Sequence, residues 1–96
     1  MNKTLYIVIP CYNEEAVLPV TAPMFLDKLN SMINKDLCSP QSRIVFVNDG
    51  SKDTTWDIIQ KLSQENEKVR IYFEALEAEK VLQLESCRKN NLLKIN

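Results

Sequence analysis

The chain has 96 residues, of which 45% are hydrophobic and 26% charged, and its formal net charge is -1. This length allows one small domain or part of a larger one, and the near-neutral charge argues against nucleic acid or an anionic membrane surface as a partner. Because the sequence has no apolar run of about 18 residues and no apolar stretch of the signal-peptide type, it predicts a soluble, cytoplasmic chain without a membrane segment.

The cysteines give no sign of a metal centre or of a disulfide. The three cysteines, Cys11, Cys38 and Cys87, include no C-x-x-C pair, and the chain has no histidine that could complete a zinc site. We therefore predict reduced thiols and no metal site.

Two β-branched runs predict the first two strands of a parallel sheet. Residues 5–10 end at a proline and residues 43–48 end at an asparagine, and each run stops abruptly at a polar turn. Strands that are buried on both faces have this pattern. Because a strand, a crossover helix and a parallel strand form a right-handed unit, the two polar turns should share the carboxyl edge of the sheet, where α/β proteins bind ligands.

The segment between these strands predicts a helix with an irregular start. Pro19 and Pro23 disfavour a helix interior, so we predict that the regular helix begins near Thr21, with Thr21 as its cap. The apolar side chains at helical spacing are assigned to the core. They are Met24, Phe25, Leu29, Met32 and Ile33.

The rest of the chain predicts a helix, a strand and a second helix. Asp53 and the two threonines after it offer cap side chains for a helix that ends near Asn66, and residues 69–73 are typical of a strand. Residues 74–89 are rich in strong helix formers, and residues 90–96 are expected to fray. The apolar positions assigned to the core in this last part are Leu76, Val81 and Leu84.

The two polar turns carry motifs that go beyond the fold class. They are IPCYNEE at residues 9–15 and VNDGSKDT at residues 47–54. This pair resembles the start of a family 2 glycosyltransferase, a nucleotide-sugar enzyme with the GT-A fold, in the branch of dolichyl-phosphate mannose synthases and bactoprenol glucosyl transferases. The resemblance covers residues 5–70. It implies a Rossmann-like parallel sheet of three strands with flanking helices over residues 1–73, the nucleotide-binding half of a GT-A fold. Residues 74–96, beyond the resemblance, are predicted to form a divergent helical segment.

Asp49 is the strongest candidate for a functional side chain. A carboxylate at the tip of a buried strand can accept hydrogen bonds from nucleobase N–H groups, and Gly50 lets the backbone approach a ligand. The ring of Tyr12 follows the first strand, where it could stack on a base. The structural alternatives are that Asp49 caps the next turn and that Tyr12 is a surface or lid-packing residue.

The resemblance implies a nucleoside-binding site at these turns, with a glutamate near the ribose. Its residues in this chain are Pro10, Tyr12, Glu14, Asp49, Gly50 and Ser51. Glu14 also has a purely structural alternative, because an acidic residue at the start of a helix stabilises the positive end of the helix dipole.

The residues expected to catalyse transfer are not found in the sequence. The family holds a Mg²⁺ or Mn²⁺ ion with a later D-x-D motif, and this chain contains neither D-x-D nor the Arg-Asn-x-Gly segment expected after the third strand. We therefore expect a truncated form without catalytic residues or a cofactor, which binds a nucleoside but is inactive alone. The full-length form would use Mg²⁺ or Mn²⁺ to transfer a hexose from a UDP- or GDP-sugar to an acceptor such as a polyprenyl phosphate.

Two other functional classes remain open from the sequence. One is a small α/β binding or interaction module without catalytic activity. The other is a phosphoacceptor domain of the receiver type, which requires a cluster of acidic residues on the first loop and a later lysine. Here the first loop carries Pro-Cys-Tyr-Asn before its acids. Nucleotide titration would separate the transferase from the module, and acyl-phosphate labelling would identify the receiver type.

The resemblance also has a consequence for assembly. It implies the strand order third, second, first, with later strands of the family fold on the free side of the first. Without those later strands, residues 5–9 would form an apolar sheet edge with unpaired backbone groups. We therefore predict a homo-oligomer that forms through this exposed edge.

Overall fold

The computed structural model describes the backbone of residues 3–94 and the side chains of residues 3–83. In chain order the elements are β1 (Thr4–Cys11), α1 (Leu18–Asn34), β2 (Arg43–Asn48), α2 (Thr55–Glu65), β3 (Val69–Tyr72), α3 (Ala75–Lys89) and β4 (Asn90–Lys94). Among the helices of residues 3–94, none has the length and apolar character needed to cross a membrane.

The four strands form one parallel sheet in the order β3-β2-β1-β4. In the pairing of β1 with β2, Ile9 lies opposite Phe46 and Cys11 lies opposite Asn48. The last residues of both strands are therefore at the same level of the carboxyl edge. The predicted α/β class is confirmed, and the three predicted strands are present in the predicted order.

The fourth strand corrects the predictions for the end of the chain. β4 pairs along β1 from Thr4 opposite Asn90 to Val8 opposite Lys94, so β1 is an interior strand. The prediction that this segment frays is wrong for residues 90–94. The prediction of an exposed edge at β1 is also wrong, and the homo-oligomer inferred from that edge loses its basis. The physical reason is that the backbone groups along β1 need partners, and the chain leaving α3 returns to supply them.

Helix α1 begins earlier than its prolines predict. It starts at Leu18, with Pro19 in the first turn, where a missing N–H costs nothing, and Pro23 lies inside the helix. Both prolines are exposed, so water can bond to the carbonyl group that loses its helical partner at Pro23. Thr21 is not a cap as predicted, because its hydroxyl donates to the Val17 carbonyl at 3.3 Å within the helix.

The core has two parts, one on each face of the sheet. One part joins β1 and β2 to α1 and α2, and the other joins them to α3. In α1 the fully packed positions are Leu18, Ala22, Leu26 and Leu29. The core assignments of Met24 and Leu76 are wrong, since these side chains are 63% and 62% exposed.

The later elements follow the sequence more closely. Helix α2 ends at Glu65, next to the predicted Asn66, and its Ile59 is fully buried. Helix α3 is present, but it packs through Ala78 and Leu82 instead of Leu76. The predictions for Leu84 and Cys87 fall on side chains outside those that the structure describes.

Candidate functional site

Two loops meet at the carboxyl edge of the sheet. The first loop comprises residues 12–17, after β1, and the second comprises residues 49–54, after β2. The Asp49 N–H donates to the Cys11 carbonyl at 2.8 Å, which continues the strand pairing by one step. Asn13 and Gly50 then have φ angles of 49° and 74°, so both loops turn sharply through the left-handed region. The tips of the two loops therefore lie side by side.

Ser51 joins the loops close to the strands. Its hydroxyl accepts from the Asn13 N–H at 3.0 Å and donates to the Cys11 carbonyl at 3.3 Å. Its own N–H donates to Asn48 Oδ1 at 3.3 Å. Both of its donor groups are thus used within the protein. Ser51 stays a predicted nucleotide-binding residue, and the structure places it as a link between the loops.

Asn13 supplies a second link at the same level. Its Oδ1 accepts from the Lys52 N–H at 2.8 Å, while its own N–H bonds to Ser51. A short amide side chain suits this position, because asparagine tolerates the left-handed backbone and bonds to nearby main-chain groups. Asn13 is not among the site residues predicted from the sequence.

Asp53 and Thr55 form a third link, at the start of α2. Asp53 Oδ1 accepts from the Thr55 N–H at 2.9 Å and from the Thr55 hydroxyl, and its Oδ2 accepts from the Glu15 N–H at 3.3 Å. The Thr55 hydroxyl in turn accepts from the Glu14 N–H at 2.7 Å. Thr55 is fully buried, so it anchors the first loop in the interior.

These contacts lower the pKa of the Asp53 carboxyl. Desolvation alone would raise the pKa of the Asp53 carboxyl, but the hydrogen bonds from Thr55 and from the Glu15 N–H outweigh it and hold that pKa below its usual value. The carboxylate form is therefore favoured in the folded chain. The stability that it contributes is present above the unfolded pKa and is lost as the pH falls through the folded pKa.

Glu15 completes the contacts between the loops. Its Oε2 accepts from the Thr54 N–H at 3.3 Å and from the Thr54 hydroxyl. Glu15 thus donates its N–H to Asp53 and accepts two hydrogen bonds from Thr54, the residue after Asp53. The sequence predicts a role for Asp53 only as a helix cap, and it assigns none to Glu15. Glu15 lies in the first motif and Asp53 in the second, which was the signal available in the sequence. The hydrogen bond between these two residues, 38 positions apart, could not be inferred from it.

The side chains of Asp49 and Tyr12, the two residues predicted to contact the base, take no part in these hydrogen bonds. Asp49 is exposed, and Tyr12 is 55% exposed. No hydrogen bond of the Asp49 carboxylate or of the Tyr12 hydroxyl occurs within residues 3–83. Pro10 and Gly50 are also exposed beside them, whereas Glu14 is half-buried. The structure therefore brings the six predicted residues to one edge, and four of them face solvent.

The alternative role of Asp49 as a turn cap is not what the structure shows. Asn48 Oδ1 accepts from the Ser51 N–H in the turn after β2, and Asp53 caps the first residue of α2. Both capping positions are thus filled by other side chains. The Asp49 carboxylate remains available for a ligand.

The thiol of Cys11 lies beneath the first loop. Cys11 is fully buried, and its Sγ donates to the Ile9 carbonyl at 3.5 Å. Burial, with a smaller contribution from the negative charge of Glu14, raises the pKa of this thiol from 9.0 to about 12. The thiol is therefore neutral at physiological pH and is a poor nucleophile.

This raised pKa predicts a loss of stability in alkaline solution. The unfolded thiol ionises near pH 9 and the folded thiol near pH 12, so its contribution is complete below pH 9 and falls as the pH rises toward 12. We expect the stability advantage of the wild type over Cys11→Ala to shrink by about 1.4 kcal/mol for each pH unit in that range. Urea denaturation of both proteins at pH 8 and pH 10 measures it. An equal advantage at both pH values would contradict the assignment.

A metal ion does not fit the residues at this edge. Within the described side chains, there is no group of three or more Cys, Asp or Glu residues that could hold one. Glu15 and Asp53 already accept hydrogen bonds from the opposite loop, which leaves the carboxylates of Asp49 and Glu14 as metal ligands at this edge, fewer than the three that a site needs. We therefore derive no step that passes through a divalent cation.

Both loops lie in the part of the chain that matches a known protein family. The family model described as glycosyl transferase family 2 matches residues 6–76. The uncharacterized glycosyltransferase YkoT of Bacillus subtilis (strain 168) is 43% identical over 68 residues, which cover 71% of this chain and 20% of that protein.

Two further relatives have names that include a lipid. The processive diacylglycerol beta-glycosyltransferase of Mycoplasma genitalium is 31% identical over 71 residues, 74% of this chain and 18% of that protein. The dolichyl-phosphate beta-glucosyltransferase of Mus musculus is 37% identical over 72 residues, 73% of this chain and 22% of that protein. The chain spans about a fifth of the length of the curated relatives it matches.

Proposed function

Since this chain belongs to glycosyl transferase family 2, we propose that it binds the nucleoside part of a UDP- or GDP-linked sugar at the edge formed by its two loops. Asp49 accepts hydrogen bonds from N–H groups of the base, and the ring of Tyr12 lies against the base. Pro10, Gly50 and Glu14 border the nucleoside, with the Glu14 carboxylate on the ribose side. Ser51 contributes by holding the two loops together.

One observation carries this proposal. The Asp49 carboxylate is exposed at the tip of a buried strand, and the fold assigns the neighbouring caps to Asn48 and Asp53. A carboxylate that has no structural task, next to a glycine in the left-handed region, is well suited to a ligand with N–H donors. The two bases share such donors, since both uracil and guanine present a ring N–H.

The proposal extends to the reaction of a full-length protein. We propose that such a protein transfers a hexose from the nucleotide-sugar to a lipid acceptor, such as a polyprenyl phosphate. The names of two relatives support a lipid acceptor, one with diacylglycerol and one with dolichyl phosphate. The 96-residue chain alone is expected to turn over no sugar nucleotide, because the side chains described at this edge include no acidic cluster that could hold a metal beside the diphosphate.

The Asp49→Ala variant tests the nucleoside site. A hydrogen bond to a charged group contributes about 1.5–3 kcal/mol, so we expect the dissociation constant for UDP or GDP to rise about tenfold to a hundredfold. Isothermal titration calorimetry with both nucleotides measures the change. The wild type should bind only weakly, because the diphosphate has no metal partner here.

Asp27→Ala is the matched control, since Asp27 is an exposed aspartate on α1, away from the loops. It should bind nucleotide as the wild type does, and both variants should keep the wild-type melting temperature. The proposal is wrong if the wild type binds neither nucleotide at millimolar concentration, or if Asp49→Ala binds as tightly as the wild type. Absence of binding would favour a small α/β interaction module, and unchanged binding by Asp49→Ala would place the nucleotide at another site.

A further inference from the structure

We propose that Glu15 and Asp53 are positioning residues that hold Tyr12 and Asp49 at a fixed distance and orientation for the nucleoside. We call these two residues the acidic clamp. The inference rests on the proposed function, which assigns the nucleoside to the tips of the same two loops. Neither residue of the clamp is proposed to touch the ligand.

The hydrogen bonds of the clamp are reciprocal. Glu15 donates its N–H to Asp53 Oδ2 at 3.3 Å, and the Glu15 carboxylate accepts from the Thr54 N–H at 3.3 Å. Each loop therefore supplies both a donor and a carboxylate acceptor to the other. Such a pairing resists both separation and sliding of the loops, because either motion breaks hydrogen bonds in both directions.

The position of the clamp explains why a second link is needed. Asn13 and Ser51 join the loops next to the strands, directly after the residues that would contact the base. The clamp joins them again where the helices begin, at Glu15 before α1 and at Asp53 before α2. Each loop is thus held on the strand side and on the helix side. Without the clamp, the loops would keep the strand-side links of Asn13 and Ser51. On the helix side only the hydrogen bond from the Glu14 N–H to the Thr55 hydroxyl would remain, so the loops would be held less firmly there.

Removal of the Glu15 side chain should affect the position of the loops without a large change in the stability of the domain. Glu15 and Thr54 are exposed, and their hydrogen bonds replace bonds that water would otherwise make. Deleting an exposed hydrogen bond costs a domain little global stability. The Glu15 side chain can therefore be removed without unfolding the chain, and any loss of affinity can be assigned to the loops.

The test compares Glu15→Ala with Glu15→Gln in the 96-residue chain. The alanine variant loses the acceptor for Thr54, whereas a glutamine Oε1 can still accept from it. We expect Glu15→Ala to raise the dissociation constant for UDP or GDP about threefold to tenfold and to speed amide hydrogen exchange at Thr54 by a similar factor. Glu15→Gln should bring the dissociation constant and the exchange rate at Thr54 most of the way back to their wild-type values. The wild type and both variants should have the same melting temperature.

Glu67→Ala provides the matched control, because Glu67 is an exposed glutamate at the opposite end of the sheet. It should change neither affinity nor exchange at Thr54. If the wild type binds nucleotide and Glu15→Ala binds equally well, the clamp has no positioning role while the proposed function stands. A failure of Glu15→Gln to restore binding also overturns the inference. If the wild type binds neither UDP nor GDP, the proposed function fails, and this inference fails with it.

Discussion

The Phe46→Ala variant is expected to lose about 3–5 kcal/mol of unfolding free energy. Phe46 is fully buried in β2, opposite Ile9 of β1 and Ile71 of β3. Truncation removes the apolar contacts of the ring and leaves a cavity that a hydrogen-bonded sheet cannot collapse to fill. A domain of this size has about 5–15 kcal/mol of stability in all, so the loss would bring the chain close to unfolding.

Urea denaturation of the wild type and Phe46→Ala measures this loss. Met24→Ala is the control, because Met24 is 63% exposed on α1 and its truncation should change stability by no more than about 0.5 kcal/mol. Equal denaturation midpoints for Phe46→Ala and Met24→Ala would contradict the packing of β2 between α1, α2 and the neighbouring strands.

The second large effect is expected for Thr55→Val. The hydroxyl of the fully buried Thr55 accepts from the Glu14 N–H at 2.7 Å and donates to Asp53. Valine keeps the shape of the side chain but leaves the Glu14 N–H without its acceptor. We expect a loss of about 1–3 kcal/mol in unfolding free energy, the cost of leaving a buried polar group unsatisfied.

Two variants separate this hydrogen bond from other effects of the substitution. Thr55→Ser keeps the hydroxyl and removes a methyl group, so it should retain more stability than Thr55→Val. Thr21→Val removes a hydroxyl that bonds to its own helix at 3.3 Å, and it should change stability by about 0.5 kcal/mol or less. Thermal unfolding of Thr55→Val, Thr55→Ser and Thr21→Val compares their stabilities. A Thr55→Val protein as stable as Thr21→Val would show that the first loop is not anchored through Thr55.

The strands β1 and β2 followed from the sequence because a buried parallel strand is a continuous β-branched run, whereas the order of the strands was implied by the family resemblance. The runs at residues 5–10 and 43–48 have no competing helical period, so β1 and β2 could be predicted to within about a residue. The start of α1 could not, because proline is unfavourable inside a helix and yet acceptable in its first turn. Strand β4, within the segment predicted to fray, could not be predicted either, since its pairing with β1 depends on contacts distant in the chain.

The candidate site was only partly predictable for a related reason. The sequence motif contains Asp49 and Asp53 four residues apart, and both are acidic residues after a strand. The fold gives them opposite roles: Asp53 accepts hydrogen bonds from Thr55 and Glu15, and Asp49 stays exposed. This division depends on the direction in which each loop residue points. No spacing rule specifies that direction when Asn, Ser, Asp and Thr can all bond to nearby backbone groups.

The most direct test of the central claim is an amide chemical-shift map of the 96-residue chain during titration with UDP and with GDP. The nucleoside site predicts saturable shifts at Tyr12, Asn13, Asp49 and Gly50, on the two adjoining loops. Amides along the groove between α1 and α2, at Ile58 and Leu62, should not move. Shifts confined to that groove, or none at either place with both nucleotides at millimolar concentration, would contradict nucleoside binding at this edge.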